Sequence, residues 1–319
     1  MWQAITDVPG VLVGQAQDAE TLTGCTVAVF PDGAVGGVDV RGSASGTREL
    51  VVLDALHLTP AIHAITLSGG SAFGLDAAGG VMRALEERGI GFPTPAACVP
   101  IVPAAIIYDL GMGLAGIRPD AAMGYAACQA AASGPIEQGN AGAGMGATVG
   151  KLYGMPQAMQ GGVGTASAHL NDDVWVGALV VCNALGDVRD PATGVLLAGT
   201  REAPDSTVLA DTAERLRRGA TPRLDAGTNT TLGIVATNAG LSKPQARKLA
   251  QLAQHGFVKG LSPAHTLYDG DTVFAVSTGT HAADPIQLGI VAADLVAESL
   301  SAAVKAARSV GGVPGLGDP

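Results

Sequence analysis

An α/β fold, with a sheet core covered by helices on both sides, is what three features of the 319-residue sequence predict. Runs rich in β-branched residues and bounded by Gly, Pro or Asp read as strands, and several are apolar at successive positions, as strands buried on both faces are. Longer runs read as helices and mix with the strands without strict alternation. Apolar residues make up 47% of the chain and charged residues 14%, the balance of a globular protein able to bury a large core. Two arrangements satisfy this pattern: an αββα sandwich and a parallel α/β sheet.

The elements follow in order. Gly24 to Phe30 is a strand stopped by Pro31-Asp32-Gly33, and Ala61 to Leu67 is a strand that runs from Pro60 into a glycine turn, Gly70-Ser71-Ala72-Phe73-Gly74. Gly74 to Arg88 is helical and closed by Gly89. Ile101 to Leu110 reads as a strand, Pro119 to Ala132 as a helix and Val174 to Cys182 as a strand. Ser206 to Arg218 reads as a helix. Thr230 to Thr237 and Thr272 to Ser277 are strands, and between them Ser242-Lys243-Pro244 starts a helix that runs to Val258. Asp284-Pro285 starts the last helix, which reaches Ala307; in both cases a capping side chain stands beside a Pro suited to the first turn. Residues 201 to 229 carry ten charged residues and end in Pro222, Gly227 and Asn229, the composition of a surface linker.

Composition removes several functions. The net charge of −10, with no basic stripe, speaks against nucleic acid. No basic segment leads into an apolar one at the N-terminus, and no apolar run reaches about 18 residues, so a cytoplasmic chain without a membrane span is expected. Cys25, Cys98, Cys128 and Cys182 are scattered and read as free thiols, and the six histidines show no metal-like pairing, so no metal is assigned. Gly111-Met-Gly113-Leu-Ala-Gly116 has dinucleotide-loop spacing, but Ile-Arg-Pro-Asp follows and starts the helix too late to meet a pyrophosphate. Gly142 to Lys151 resembles a phosphate loop, yet Met145 and Leu152 stand where a Gly and a Ser or Thr are needed. Its glycines then serve close backbone approach, and Lys151 reads as a surface lysine. No GxSxG elbow occurs.

Two stretches hold chemistry. Asp269-Gly270-Asp271 enters a strand with both carboxylates on one face, either as a plain turn or as a pair that orients a third group. At Asn229-Thr230 a charged, flexible segment meets a buried strand. Either Asn229 merely ends a linker, or the Thr230 hydroxyl attacks the Asn229 carbonyl and water hydrolyses the resulting ester. Scission would turn the amide nitrogen of Thr230 into an α-amine with a pKa of roughly 8, able to take the proton of its own hydroxyl. Thr228 and Thr231 are competing hydroxyls.

Taken in order, Thr6 to Gly14, Leu67 to Leu75, Ala105 to Asp109, Gly142 to Gly146 with Lys151, Val181 to Asn183, Asn229 to Thr231 and Asp269 to Ala275 resemble the P1 family of self-processing peptidases. That group contains L-aminopeptidase D-esterase/amidases, β-peptidyl aminopeptidases and nylon-oligomer endohydrolases. The resemblance implies an αββα fold of the kind shared with ornithine acetyltransferase, and a mature enzyme of two subunits, residues 1 to 229 and 230 to 319. By position it implies Thr230 as nucleophile, Asn183 as oxyanion donor and Lys151 as a catalytic ammonium. It implies Asp269 and Asp271 as an acidic pair holding the amine and lysine network, and Tyr108 at the substrate pocket. No cofactor is implied, the substrate is a small amide or peptide, and a homo-oligomer of processed units is expected. Aminopeptidase members are typically cut before Ser, whereas Asn229-Thr230 is closer to the nylon-oligomer branch. Hydrolysis of aminohexanoate oligomers, or acyl transfer on the same fold, is the alternative activity.

Overall fold

The computed structural model describes residues 1–223 and 228–318; Asp225 and Gly227, at the end of the expected linker, lie outside the described residues. The chain forms β1 (Leu12–Asp18), β2 (Thr23–Val40), β3 (Ile62–Ser68), α1 (Ala77–Glu87), β4 (Ala104–Ile106) and α2 (Ala121–Gln129). There follow β5 (Gly162–His169), β6 (Trp175–Asn183), α3 (Thr212–Arg217), β7 (Thr230–Ala239), α4 (Lys243–Gly260), β8 (Thr272–His281) and α5 (Pro285–Ala306).

The long strand β2 decides between the two architectures. Its first half, residues 23–29, pairs with β1 and β3, and its second half, residues 35–40, pairs with β8; the break falls at Pro31-Asp32-Gly33. One strand therefore belongs to two faces. β1, β3 and β4 extend one, while β8, β7, β6 and β5 extend the other. Side chains alternate across each strand and so fill three apolar layers. Ile65 and Leu67 of β3, Leu179 and Val181 of β6, Leu232 and Ile234 of β7 and Phe274 of β8 meet between the faces. Val27, Val29 and Ala64 pack against Ala77, Val81, Leu85 and Ala127 of α1 and α2. Val180, Val235, Val273 and Ala275 pack against Leu249, Ala253, Phe257, Val296 and Leu300 of α4 and α5. Three buried layers separate four structural ones, which makes this an αββα sandwich.

Local chemistry explains where elements begin and end. Asp284 accepts from the Ile286 N–H at 2.9 Å to start α5. At α4 the Gln245 side chain reaches back to accept from the Ser242 N–H at 2.9 Å and from its hydroxyl at 2.8 Å. α5 is long and apolar enough to cross a membrane by length and composition, but Leu288, Ala292, Leu295, Val296, Leu300 and Val304 are spent on the core.

Three expectations are revised. The strand over 101–110 shrinks to Ala104–Ile106; on its N-terminal side Pro103 cannot donate to a ladder. The helix over 206–218 begins only at Thr212, where Asp211 accepts from the Glu214 N–H at 3.1 Å. The charged segment is also more than a linker: buried Asp187 accepts from Thr200 N–H at 2.8 Å, Thr212 N–H at 2.6 Å and the Thr212 hydroxyl at 2.6 Å, tying it to the body. β1 and β5 had no strand signature. β5 is glycine-rich, and at Gly164 a Cβ would stand 1.9 Å from the Ser299 carbonyl oxygen of α5, so close helix packing, not β-propensity, selects the residue.

Candidate functional site

Sheet register assembles the site. Antiparallel pairing of β6 with β7 sets Asn183 opposite Thr230, so the last residue of one strand faces the first of the next. β7 and β8 run parallel, and their pairing continues beyond the strand as a bridge between Asn229 and Asp269. Three chemistry-bearing segments thus converge at one end of the sheet. Lys151 joins them from the loop after a short strand, Thr148–Val149, its backbone N–H donating to the Leu185 carbonyl at 3.0 Å. Tyr108 joins from the loop after β4.

The Thr230 hydroxyl donates to the carbonyl oxygen of Asn229 at 2.5 Å, and the Gly270 N–H donates to the same oxygen at 2.9 Å. Asn229, Thr230 and Thr231 are all buried. The Thr231 side chain points to the opposite face of the strand, where its buried hydroxyl has no partner among the described residues, and its backbone N–H donates to Asp271 at 2.8 Å. Of these two adjacent threonines, it is Thr230 whose hydroxyl lies on the preceding carbonyl.

Lys151 is 2% exposed, which overturns its reading as a surface lysine. Its ammonium donates to Asn183 Oδ1 at 2.9 Å, to the Asn183 carbonyl at 3.2 Å and to the Thr228 carbonyl at 3.3 Å. Burial pulls it down to about 7, against the opposing attraction of Asp269 first, then Cys182 and Asp109. The ammonium implied by resemblance is therefore a group that exchanges its proton near neutrality. Asn183 Oδ1 also accepts from the Thr148 N–H at 3.0 Å, which fixes the amide orientation, and Asn183 Nδ2 donates to the Tyr108 carbonyl at 3.2 Å. One amide proton of Asn183 remains for another acceptor.

The aspartates hold the frame. Asp269 accepts from Leu185 N–H at 3.1 Å, Thr266 N–H at 3.3 Å and the Thr266 hydroxyl. Burial, and then the neighbouring Asp271, push its carboxyl up from the usual range. Asp271 accepts from Thr231 and also from the backbone N–H and ring Nδ1 of His265, at 3.0 and 2.9 Å. Neither carboxylate hydrogen-bonds Lys151 among the described contacts; Asp269 acts on it through the field. His265, Thr266 and Thr148 were not singled out from the sequence, and Gly270 was read only as the spacer of Asp269-Gly270-Asp271; folding is what brings Thr148 to Asn183 and the Gly270 N–H to the Asn229 carbonyl. Cys182, beside Asn183, is pushed up to about 12 by burial, so at neutral pH it is an inert thiol.

A cavity of about 220 Å³ opens beside this cluster, lined by Tyr108, Asp109, Met112, Thr148, Lys151 and Thr228 among others. Asp109 is itself buried and held by the Thr23 hydroxyl and the Gly70 N–H, each at 2.6 Å. A buried hydroxyl on a polarised carbonyl, a lysine titrating near 7 and an amide donor together suit acyl transfer.

Comparison with known proteins agrees. Residues 3–315 match peptidase family S58. An uncharacterised aminopeptidase of Mycobacterium leprae is 41% identical, covering 98% of this chain and 92% of its own length. A 6-aminohexanoate-oligomer endohydrolase of a Kocuria species is 37% identical over 85% of this chain and 74% of its own. Among solved structures, a Burkholderia β-aminopeptidase aligns with a TM-score of 0.69 at 25% identity, over 99% of this chain and 91% of that one. The Ochrobactrum anthropi L-aminopeptidase D-Ala-esterase/amidase, described as a variant of the Ntn-hydrolase fold, aligns with a TM-score of 0.72 at 20% identity, over 98% of this chain and 88% of that one. Fold, sequence and the chemistry gathered at Thr230 lead to one assignment: the chain belongs to peptidase family S58 and is a hydrolase of the peptidase class.

Proposed function

We propose that the chain is a self-cleaving amidohydrolase with Thr230 as its N-terminal nucleophile. The observation that carries this reading is the Thr230 hydroxyl held 2.5 Å from the Asn229 carbonyl oxygen in a buried strand start. In the first step the Thr230 oxygen bonds to the Asn229 carbonyl carbon, and the carbon–nitrogen bond between the two residues breaks. The hydroxyl proton passes by way of Lys151 to the departing nitrogen. Water then adds to the ester, giving a carboxylic acid at Asn229 and restoring the hydroxyl of Thr230, now beside a free α-amine.

In turnover that amine takes the proton of its own hydroxyl, Thr230 attacks the substrate amide, and the Asn183 amide N–H stabilises the oxyanion. The amine of the substrate leaves, and water releases the acyl group as an acid. Asp269 and Asp271 keep the loop before β8 registered against Thr231 and Leu185, while Tyr108 forms one wall of the acyl pocket. The names of the relatives support amides of small peptides, β-peptides or amino acids as substrates. The Kocuria relative and the Asn-Thr junction favour a second reading, hydrolysis of aminohexanoate oligomers; parallel assays on amino-acid p-nitroanilides, β-dipeptides and aminohexanoate oligomers separate the two.

Intact mass measurement of purified protein should give two chains, residues 1–229 and 230–319, and Thr230→Ala should give one. A wild-type chain that stays whole while turning over substrate refutes the proposal.

A further inference from the structure

We propose that self-cleavage and substrate turnover use different oxyanion donors, with the backbone N–H of Gly270 serving the first and the side chain of Asn183 the second. This rests on the self-cleaving reading and assigns a further catalytic group within it. In the uncut chain the carbonyl that must become an oxyanion is that of Asn229. Among the hydrogen bonds of the described residues its oxygen accepts two, from the Thr230 hydroxyl and from Gly270 N–H at 2.9 Å. Thr230 is the attacking group and gives up its proton, so the Gly270 N–H is the donor that persists as charge builds on that oxygen. Among the described residues no hydrogen bond runs from the Asn183 amide to the Asn229 carbonyl: its Nδ2 donates to Tyr108 O, and its Oδ1 accepts from Lys151 and Thr148.

The fold explains this donor. Parallel strands place their N–H and carbonyl groups in evenly spaced slanted bonds. Carrying the β7–β8 pairing one step past the strand, through the Asn229–Asp269 bridge, delivers the next N–H onto the scissile carbonyl. The position also has to be glycine. A Cβ there would stand 2.6 Å from Thr230 Oγ1 and 2.7 Å from Ala44 O, displacing the attacking oxygen. Flanking aspartates pin the loop on both sides, Asp269 to Leu185 and Asp271 to Thr231. In the step itself, the oxygen–carbon bond forms as the carbonyl π pair moves onto the Asn229 oxygen. That pair returns as the Asn229–Thr230 carbon–nitrogen bond breaks, and the nitrogen takes the proton released by the hydroxyl.

The test follows the conversion of newly synthesised full-length chain to two fragments, in cell-free synthesis, for wild type, Gly270→Pro, Gly270→Ala and Asn183→Asp. Proline removes the N–H, and alanine keeps it but adds the clashing Cβ. Aspartate keeps an acceptor for Lys151 and Thr148 but removes the amide donor. Gly270→Pro is expected to cut at least about a hundredfold more slowly than wild type, the loss typical of one removed oxyanion donor. Gly270→Ala is also expected to slow. Because its carboxylate would stand where Asn183 Oδ1 accepts from Lys151 at 2.9 Å and would hold the lysine proton more tightly, Asn183→Asp is expected to cut more slowly than wild type near pH 7 and to recover as pH is raised toward the ordinary lysine range of about 10, while its fragments turn over substrate about 10²- to 10³-fold more slowly at either pH. Equal cutting by Gly270→Pro and wild type overturns the assignment, and so does an Asn183→Asp chain that stays whole at both neutral and raised pH. If circular dichroism shows that Gly270→Pro does not fold, the Asn183→Asp result decides alone. A wild-type chain that never cuts refutes the self-cleaving reading itself, a separate outcome.

Discussion

Replacing Lys151 by Met should change how stability depends on pH, by an amount the structure fixes. Lys151 titrates at 10.5 in an unfolded chain and at about 7 in this site, because burial strips its ammonium of water. Between those values the unfolded chain binds a proton that the folded chain has released. Stability therefore rises with pH in that window, by up to about 1.4 kcal/mol for each pH unit. From pH 7.5 to 9.5 this one group contributes about 2.5 kcal/mol of added stability to the wild type and nothing to Lys151→Met. The two proteins share every other titrating group, so the difference of differences isolates the lysine. Both should be compared in a Thr230→Ala background, which keeps the chain in the same covalent state in each arm. The assay is urea unfolding at the two pH values, and the wild-type midpoint should gain on the variant as pH rises. Parallel pH dependences would show that Lys151 keeps its charge when folded, and the account of its burial, and of its proton exchange with Thr230, would fail.

Other consequences are more local. Gly164→Val should destabilise by about 3 kcal/mol, because its Cβ meets the Ser299 carbonyl and α5 must move; a loss below 0.5 kcal/mol in denaturant unfolding would show that this packing is loose. Asp187→Ala leaves the buried N–H groups of Thr200 and Thr212 without their acceptor, so stability should drop by about 3 kcal/mol and limited proteolysis should find new cuts in residues 200–218. Cys182 should resist alkylation in the native enzyme near neutral pH, with the partly exposed Cys98 labelled first, as peptide mass mapping will show. Rapid labelling of Cys182 would contradict its burial.

Much of the fold was legible from the chain alone. The apolar runs at 24–30, 61–67, 174–182, 230–237 and 272–277 became strands because a strand buried on both faces needs apolar side chains at successive positions. Caps at Ser242 and Asp284 placed two helices, since those signals act within one turn. The family resemblance, carried by motifs in short contiguous stretches, brought out Asn183, Asn229, Thr230, Asp269 and Asp271 as candidates. Tertiary structure alone decided the rest. That β2 serves two sheets is a pairing choice made by its neighbour β1 together with β3 and β8, the last more than two hundred residues away. Glycine-rich β5 is a strand because α5 presses on it, and the lysine that reads as solvent-exposed is buried because its loop is drawn in against Leu185 and Asn183. Local preferences act over a few residues, whereas burial and register are properties of surfaces that meet only when the chain has folded; the shifted pKa of Lys151 and the N–H of Gly270 on the Asn229 carbonyl belong to that second kind.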